Sequence, residues 1–153
     1  MITYRSAVAA DVPVLHAMLQ CLSDHDGGDY TVGSQQSLLQ HGFGPRALFH
    51  AALAERGGTT VGMVIFYPDF STHRGQPGVY VQDIYVDDTT RGAGVGRGLL
   101  GFMLQTQDWD AQYITLGVSP QNAVANGFYD RIGFAARGYQ MMLVAGPAFD
   151  RLR

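Results

Sequence analysis

Val79-Tyr80-Val81-Gln82-Asp83-Ile84-Tyr85-Val86, then Arg91-Gly92-Ala93-Gly94-Val95-Gly96, then Leu99-Leu100-Gly101-Phe102-Met103-Leu104: the order of these three segments decides the fold. The first is a β-branched and aromatic run of strand type, and the last is an apolar run of helix type. Glycines at the junction leave backbone N–H groups uncovered by side chains. A helix start behind them adds its own unpaired N–H groups and a positive dipole end. Together these predict a pocket for phosphate or pyrophosphate. Downstream, Tyr113 to Val118 alternates as a further strand. The run 79–118 therefore reads as a parallel strand–helix–strand crossover, with the helix over about 95–107.

Outward from this unit, Ile2 to Arg5 reads as a first strand, and Asp11 can cap a helix with apolar positions Leu15, Met18, Leu19 and Leu22 on one face. Ser23 to Val32 is polar and reads as a loop, and Ser34 can cap a short second helix ending near Gly42. Ala47 to Ala54 and Thr60 to Tyr67 are strand-like, joined across Gly57-Gly58 as a hairpin. Pro68 to Gly78 carries two prolines and two glycines and is expected to be a loop. Asn122 to Arg131 predicts a helix stopped by Gly133, and Tyr139 to Val144 a last strand ended by Pro147. Hairpins before a parallel crossover make an α/β fold, a mixed and mostly antiparallel central sheet flanked by helices.

The chain has 153 residues, enough for one domain spanning 1–153 with a sizeable core. All ten basic residues are arginine, and the formal net charge is −3. That balance gives no support for a nucleic-acid partner, which needs a basic footprint. A single cysteine, Cys21, excludes an internal disulfide or a cysteine-based zinc site, and its apolar neighbours suggest a buried structural thiol. No metal is expected. No apolar run reaches the roughly 18 residues of a membrane span, and Met1-Ile2-Thr3-Tyr4-Arg5 lacks the form of a signal peptide. The expectation is a soluble cytoplasmic protein without a membrane partner.

Gly96-Arg97-Gly98-Leu99-Leu100-Gly101 is a literal G-x-G-x-x-G, but it does not directly follow a strand, and positions 116 to 126 offer no acidic residue. The dinucleotide-binding reading therefore fails, and the glycines from Gly98 onward are expected to allow close helix–sheet packing. A second pattern lies downstream: N-x-x-A-x-x-F-Y-x-x-x-G-F over Asn122, Ala125, Phe128, Tyr129, Gly133 and Phe134. On a helix, 122, 125 and 129 share one face at i, i+3 and i+7, offering an amide, a small contact surface and a phenol.

Both patterns in this order and spacing resemble the GCN5-related N-acetyltransferase superfamily, with Arg91, Gly94 and Gly96 at the fixed positions of its [RQ]-x-x-G-x-[GA] turn. His41-Gly42-Phe43-Gly44, Leu48-Phe49-His50, the strand 80–86 and the loop Ser71 to Gly78 are similar to the diamine (spermidine/spermine) and thialysine acetyltransferase branch. The resemblance implies acetyl-CoA as co-substrate and a sheet splayed between the strands at 79–86 and 113–118. Ile84, Tyr85 and Val86 would meet the acetyl carbonyl and pantetheine arm. Arg91, Gly92, Ala93, Gly94, Val95, Gly96 and Arg97 would hold the pyrophosphate. Asn122, with Ala125, would contact the pantetheine. Tyr129 would be the acid for the departing thiolate. His25 and Asp26 fall where that branch contacts the amine, and a homodimer is common in the family.

Two positions depart from the branch: Gln82 stands in place of its usual glutamate, and Gly117 to Gln121 lacks its tryptophan. An amide neither accepts a proton nor pairs with an ammonium. Asp83 keeps the branch residue, but strand alternation sends it to the face opposite Gln82. Gln82 and Asp83 are thus candidates for the catalytic end, with Asp83 structural if alternation holds. Asp24, Asp26 and Asp29 form the expected cation attractor. The implied activity is transfer of acetyl from acetyl-CoA to a primary amine of a small molecule. Alternatives are a protein, peptide or antibiotic amine, or a non-catalytic acyl-CoA-binding module. Retention of Tyr129 argues against the module, since pure binding needs no leaving-group acid.

Overall fold

The computed structural model describes residues 1–27 and 31–153, which form two compact units, 1–116 and 117–153. The first unit holds a five-stranded sheet in the order β1-β2-β3-β4-β5, from β1 (Ile2–Ser6), β2 (His50–Arg56), β3 (Thr59–Ser71), β4 (Gln76–Val86) and β5 (Ile114–Leu116). The first four strands pair antiparallel, and β5 pairs parallel to β4. Helices α1 (Val12–His25), α2 (Gln35–Phe43) and α3 (Val95–Thr106) accompany it. The expected crossover is present as β4–α3–β5.

Two apolar layers flank the sheet. Ala51, Leu53, Met63 and Ile65 project to one side and pack with Leu15 and Met18 of α1. Their neighbours Ala52, Ala54 and Val64 are buried on the other side, where Leu99 and Met103 of α3 are fully buried. Each such buried side chain contributes about 1.5–3 kcal/mol relative to exposure. Close approach of α3 needs small residues. A Cβ on Gly98 would lie 1.9 Å from the Tyr4 hydroxyl, whereas one on Gly101 meets nothing within 4 Å. Only the first of the two glycines is thus required by packing.

Local signals explain most element ends. Ser34 Oγ accepts from Ser37 N at 3.1 Å and caps α2. Gly57 and Gly58, at φ 57° and 79°, supply the left-handed pair that a tight β2–β3 hairpin requires. Asp11 sits at the N-cap of α1 but makes no side-chain cap bond. Its carboxylate instead accepts from the Arg5 guanidinium at 2.8 and 2.9 Å and from Val8 N at 2.7 Å. The α1 helix runs on to His25, three residues into the expected loop.

The loop expected over Pro68 to Gly78 is mostly strand: β3 continues to Ser71 and β4 starts at Gln76. Pairing of β2 with β3 ends at His50↔Phe66, and pairing of β4 with β5 begins at Val79. Pro68 therefore lies where β3 has β4 alone as a neighbour, and Pro77 lies before the β4–β5 ladder, where its carbonyl accepts from Gln112 N at 2.9 Å and no N–H of its own is needed. The strand expected from Ala47 begins at His50, and the one expected over 113–118 is limited to Ile114–Leu116.

The second unit contains α4 (Ala123–Arg131) and the short α5 (Pro147–Asp150). Gly133, at φ 104°, follows the C-cap of α4 as expected. The strand expected over Tyr139 to Val144 is not formed among the described residues. Its alternation suits a β-backbone, but a strand also needs a partner ladder. Pro147 opens α5, where its missing N–H is not needed, rather than closing a strand.

Candidate functional site

In the first unit, β4 and β5 pair only at Val79↔Ile114, Tyr80↔Thr115 and Val81↔Leu116. From Gln82 to Val86 one edge of β4 stays on β3, while the other has no strand partner among the described residues. This is the expected splay, and it leaves alternate backbone groups of Ile84, Tyr85 and Val86 free of a ladder. The chain then turns through Asp87, whose carboxylate accepts from Thr89 N and Thr89 Oγ1 at 2.9 Å each. Buried Thr90 anchors the same turn by donating from Oγ1 to the Asp87 carbonyl at 3.0 Å.

Gly92 and Gly94 adopt φ 82° and 75°, the left-handed region that only glycine enters readily. Gly94 is the N-cap of α3 and offers no side-chain cap, so the first N–H groups of the helix, from Val95 to Arg97, stay uncapped. A Cβ on Gly92 or Gly94 would meet nothing within 4 Å, so the space before these groups is open. The turn thus has the form a diphosphate needs: exposed N–H groups on a positive helix end. Arg91 donates from Nε to Asp88 Oδ1 at 3.0 Å and more weakly to the Val86 carbonyl at 3.4 Å.

The acceptor-side candidates meet at a corner between α1, β3 and β4. A register shift falls between Ile65 and Phe66: Ile65 pairs with Asp83, and Phe66 pairs with Val81. Gln82 is the extra residue of a β-bulge, and alternation reverses across it. Val79 and Val81 point to the Phe66 side, but Asp83 and Tyr85 pair with Ile65 and Met63 on the α1 side. This corrects the expectation that Asp83 faces away from the Gln82 corner. Tyr67 is their shared neighbour. Its hydroxyl donates to Gln82 Oε1 at 3.1 Å, and its ring stacks on Tyr80 with centroids 5.1 Å apart. Burial raises its pKa, and the fields of Tyr80, Asp69 and Asp83 add to the shift.

Asp83 is the unusual carboxyl of the corner. Burial pushes its pKa up to about 6, and the neighbouring Asp26 charge adds to the rise. His25 lies across from it, with its ring 6.2 Å from that of Tyr85 and its Nε2 3.9 Å from Asp88 Oδ2. Asp88 therefore stands between His25 and Arg91. Cys21, expected to be buried, is exposed. The Tyr85 phenol has its pKa raised chiefly through burial, and the neighbouring Cys21 thiol adds to the rise. Of the acidic cluster, Asp24 accepts from Gln20 Nε2 at 3.1 Å, Asp26 faces Asp83 through its field, and Asp29 lies outside the described residues. The corner brings together Gln82, Asp83, Tyr85, His25 and Asp26. Tyr67 and Tyr80 escaped the sequence reading, because only strand register reveals that they flank Asp83.

The second unit holds the remaining candidates. Asn122 Oδ1 accepts from Ala125 N at 3.1 Å, so this side chain serves as the N-cap of α4. Tyr129 lies between Phe128 and Phe134, each ring 5.2 Å away, and burial raises its phenol to about 12. It stays protonated through the neutral range and is a donor there. Among the described residues no cluster of three or more metal-ligating side chains occurs, and no helix is long and apolar enough to cross a membrane.

Comparison with known proteins agrees with this fold. The model of the acetyltransferase (GNAT) family matches residues 15–134. Thialysine N-epsilon-acetyltransferase of Sus scrofa is 28% identical over 134 residues, covering 73% of this chain and 78% of that protein. An integron cassette protein from the mobile metagenome of V. cholerae superposes with TM-score 0.78 at 16% identity, covering 99% and 96% of the two chains. An aminoglycoside acetyltransferase from an uncultured soil metagenomic sample, solved with sisomicin, reaches TM-score 0.74 at 14% identity, with 95% of each chain covered. At these identities the two structural likenesses speak for the fold.

Proposed function

The chain belongs to the acetyltransferase (GNAT) family, and from that premise we propose that it acetylates a primary amine of a small cationic molecule. A diamine, a polyamine or an amino-acid-like amine fits this description. The protein is an acetyl-CoA-dependent N-acetyltransferase. The acceptor class rests on one observation: a half-buried carboxyl with its pKa near 6, walled by tyrosines and backed by Asp26.

Chemistry gives that carboxyl two roles. An alkylammonium has a pKa near 10.4 and must lose a proton before its nitrogen can attack a thioester. Ionised Asp83 first draws in the ammonium, and the surrounding phenols limit competing water. The held ammonium releases its first proton to solvent water and the neutral amine attacks; as the new C–N bond forms, the nitrogen's N–H becomes far more acidic, and Asp83, directly or through a water, takes this second proton. Its raised pKa makes it a stronger base than an ordinary aspartate. Gln82, held by Tyr67, acts as an orienting hydrogen-bond partner and not as a base. Ladder-free N–H groups of β4 between Ile84 and Val86 stabilise the oxygen that gains charge during attack.

The Arg91–Gly96 turn and Arg97 hold the diphosphate of acetyl-CoA through backbone N–H groups, with Asn122 and Ala125 assigned to its pantetheine arm. On the strength of the downstream sequence pattern we assign Tyr129 as donor to the departing sulfur, which leaves with the C–S bonding pair and gains a proton. By the same resemblance the enzyme is a cytoplasmic homodimer, and light scattering coupled to gel filtration tests its oligomeric state. Thiol release measured across a panel of diamines, polyamines, thialysine, aminoglycosides and lysine peptides tests the acceptor class. Turnover is expected with the small diamines and amino-acid-like amines. Turnover on peptides or aminoglycosides alone overturns the proposal.

A further inference from the structure

A second pocket of the first unit lies at the end of α3 remote from the glycine turn. The helix has 12 residues, so the two ends are separated by about 17 Å. The cavity has a volume of about 280 Å³ and is walled by Phe43, Phe49, His50, Phe66 and Trp109, with Asp108 also in its lining. This is close to the lower limit of small-molecule sites, a size suited to a compact head group.

Its walls are built in advance. His50, Phe66 and Trp109 form a mutual cluster, with centroids 5.6, 5.4 and 6.3 Å apart and interplanar angles of 29° to 36°. Phe43 and Phe49 meet edge to face at 6.2 Å. Trp109 donates its Nε1–H to the Gly78 carbonyl at 2.8 Å, which fixes the ring and occupies its one polar group. Gln107 Oε1 accepts from the N–H groups of Trp109 and Ala111 at 3.1 Å each, holding the turn that carries Asp108.

The electrostatics select a sign. No arginine lines the cavity. Asp108 has no ion-pair partner among the described residues. Thr106 and Gln107, at the negative end of the α3 dipole, also line it. Aromatic faces, a free carboxylate and a helix C-terminus each favour a cation over an anion, and aromatic walls favour a weakly hydrated one.

We propose that this cavity is a binding site for a small substituted ammonium ion, separate from the corner that holds the reacting amine. Trp109 is the only tryptophan of the chain, so its emission reports on this pocket without reference to acetyl transfer. Choline is the probe, and 3,3-dimethyl-1-butanol, of the same shape without charge, is the control. Titrated into the protein without acetyl-CoA, choline is expected to change the Trp109 emission saturably. The neutral alcohol should bind at least about fivefold more weakly, as the loss of a cation–π contact implies. Asp108→Asn should weaken choline several-fold and leave the alcohol unchanged, and Asp83→Asn should leave both titrations unchanged. The absence of a saturable change, an equal response to the alcohol, an unchanged choline titration in Asp108→Asn, or loss of the signal in Asp83→Asn overturns the proposal.

Discussion

The Arg91–Gly96 turn and the Asp83 corner lie within a dozen residues of one another on the same strand and its exit, yet they are built for recognition by opposite means. The turn offers backbone: two left-handed glycines and the uncapped start of α3, with no side chain over them. The corner offers side chains drawn from three elements, α1, β3 and β4, and its main group is a carboxyl displaced from its ordinary ionisation by burial. A site made of backbone depends on local conformation and tolerates variation around it. A site made of assembled side chains sets selectivity and depends on the register of the whole sheet.

Substitutions that separate the two halves sharpen this contrast. The largest effect is expected for Asp83→Asn, with kcat/KM for the amine falling about 10²–10³-fold, in the range of a lost general base. Acetyl-CoA affinity by calorimetry should stay the same, and the acidic limb of the pH profile near 6 should vanish. The same variant should be more stable than the parent at pH 8. The folded pKa is raised, so between about pH 4 and 6 the folded chain keeps a proton that the unfolded chain has released. Stability therefore falls as pH rises through that window, and the deficit persists above it. Removing the charge should restore about 1–3 kcal/mol at pH 8 and almost nothing at pH 4, read from urea melts at the two pH values.

Tyr129→Phe comes next, with an expected loss of about 10²-fold in kcat, measured as thiol release at saturation; an unchanged rate would remove its role as acid. Gly94→Ala places a Cβ on a left-handed residue at a penalty of about 1–2 kcal/mol. Acetyl-CoA should bind roughly tenfold more weakly by calorimetry, with the amine KM unmoved. The smallest effect is expected for Tyr67→Phe, which removes the hydrogen bond to Gln82. A rise of about threefold in the amine KM, with cofactor affinity intact, would match the worth of one such bond.

The turn was legible in the sequence because its information is local: strand, glycines and helix follow one another within 30 residues. The same holds for the Gly57-Gly58 hairpin and the Ser34 cap. Pro68 and Pro77 were misread as loop residues because a proline shows its exclusion from sheets only when both neighbours of its strand are known. The corner was half legible. Gln82, Asp83, His25 and Asp26 stood out as residue types in a pattern, but Tyr67 and Tyr80 are brought to them only by pairing across β3 and β4. Cys21 shows the converse failure, since apolar sequence neighbours on a helix say little about which face a single thiol occupies.

The extra residue at Gln82 gives β4 two phases. Before it, odd-numbered positions, Val79 and Val81, belong to the α3 side; after it, even-numbered positions, Ile84 and Val86, do. The strand works like a printed line with one character inserted, in which every later letter changes column while the text stays the same. Flattening the bulge with Gln82 kept in the ladder would be a frameshift in space: the Asp83 carboxyl would turn into the apolar layer under α3, and Ile84 would face the amine. Any attempt to transplant this strand to another scaffold has to carry the insertion with it, because the side chains alone do not encode which side of the sheet they serve.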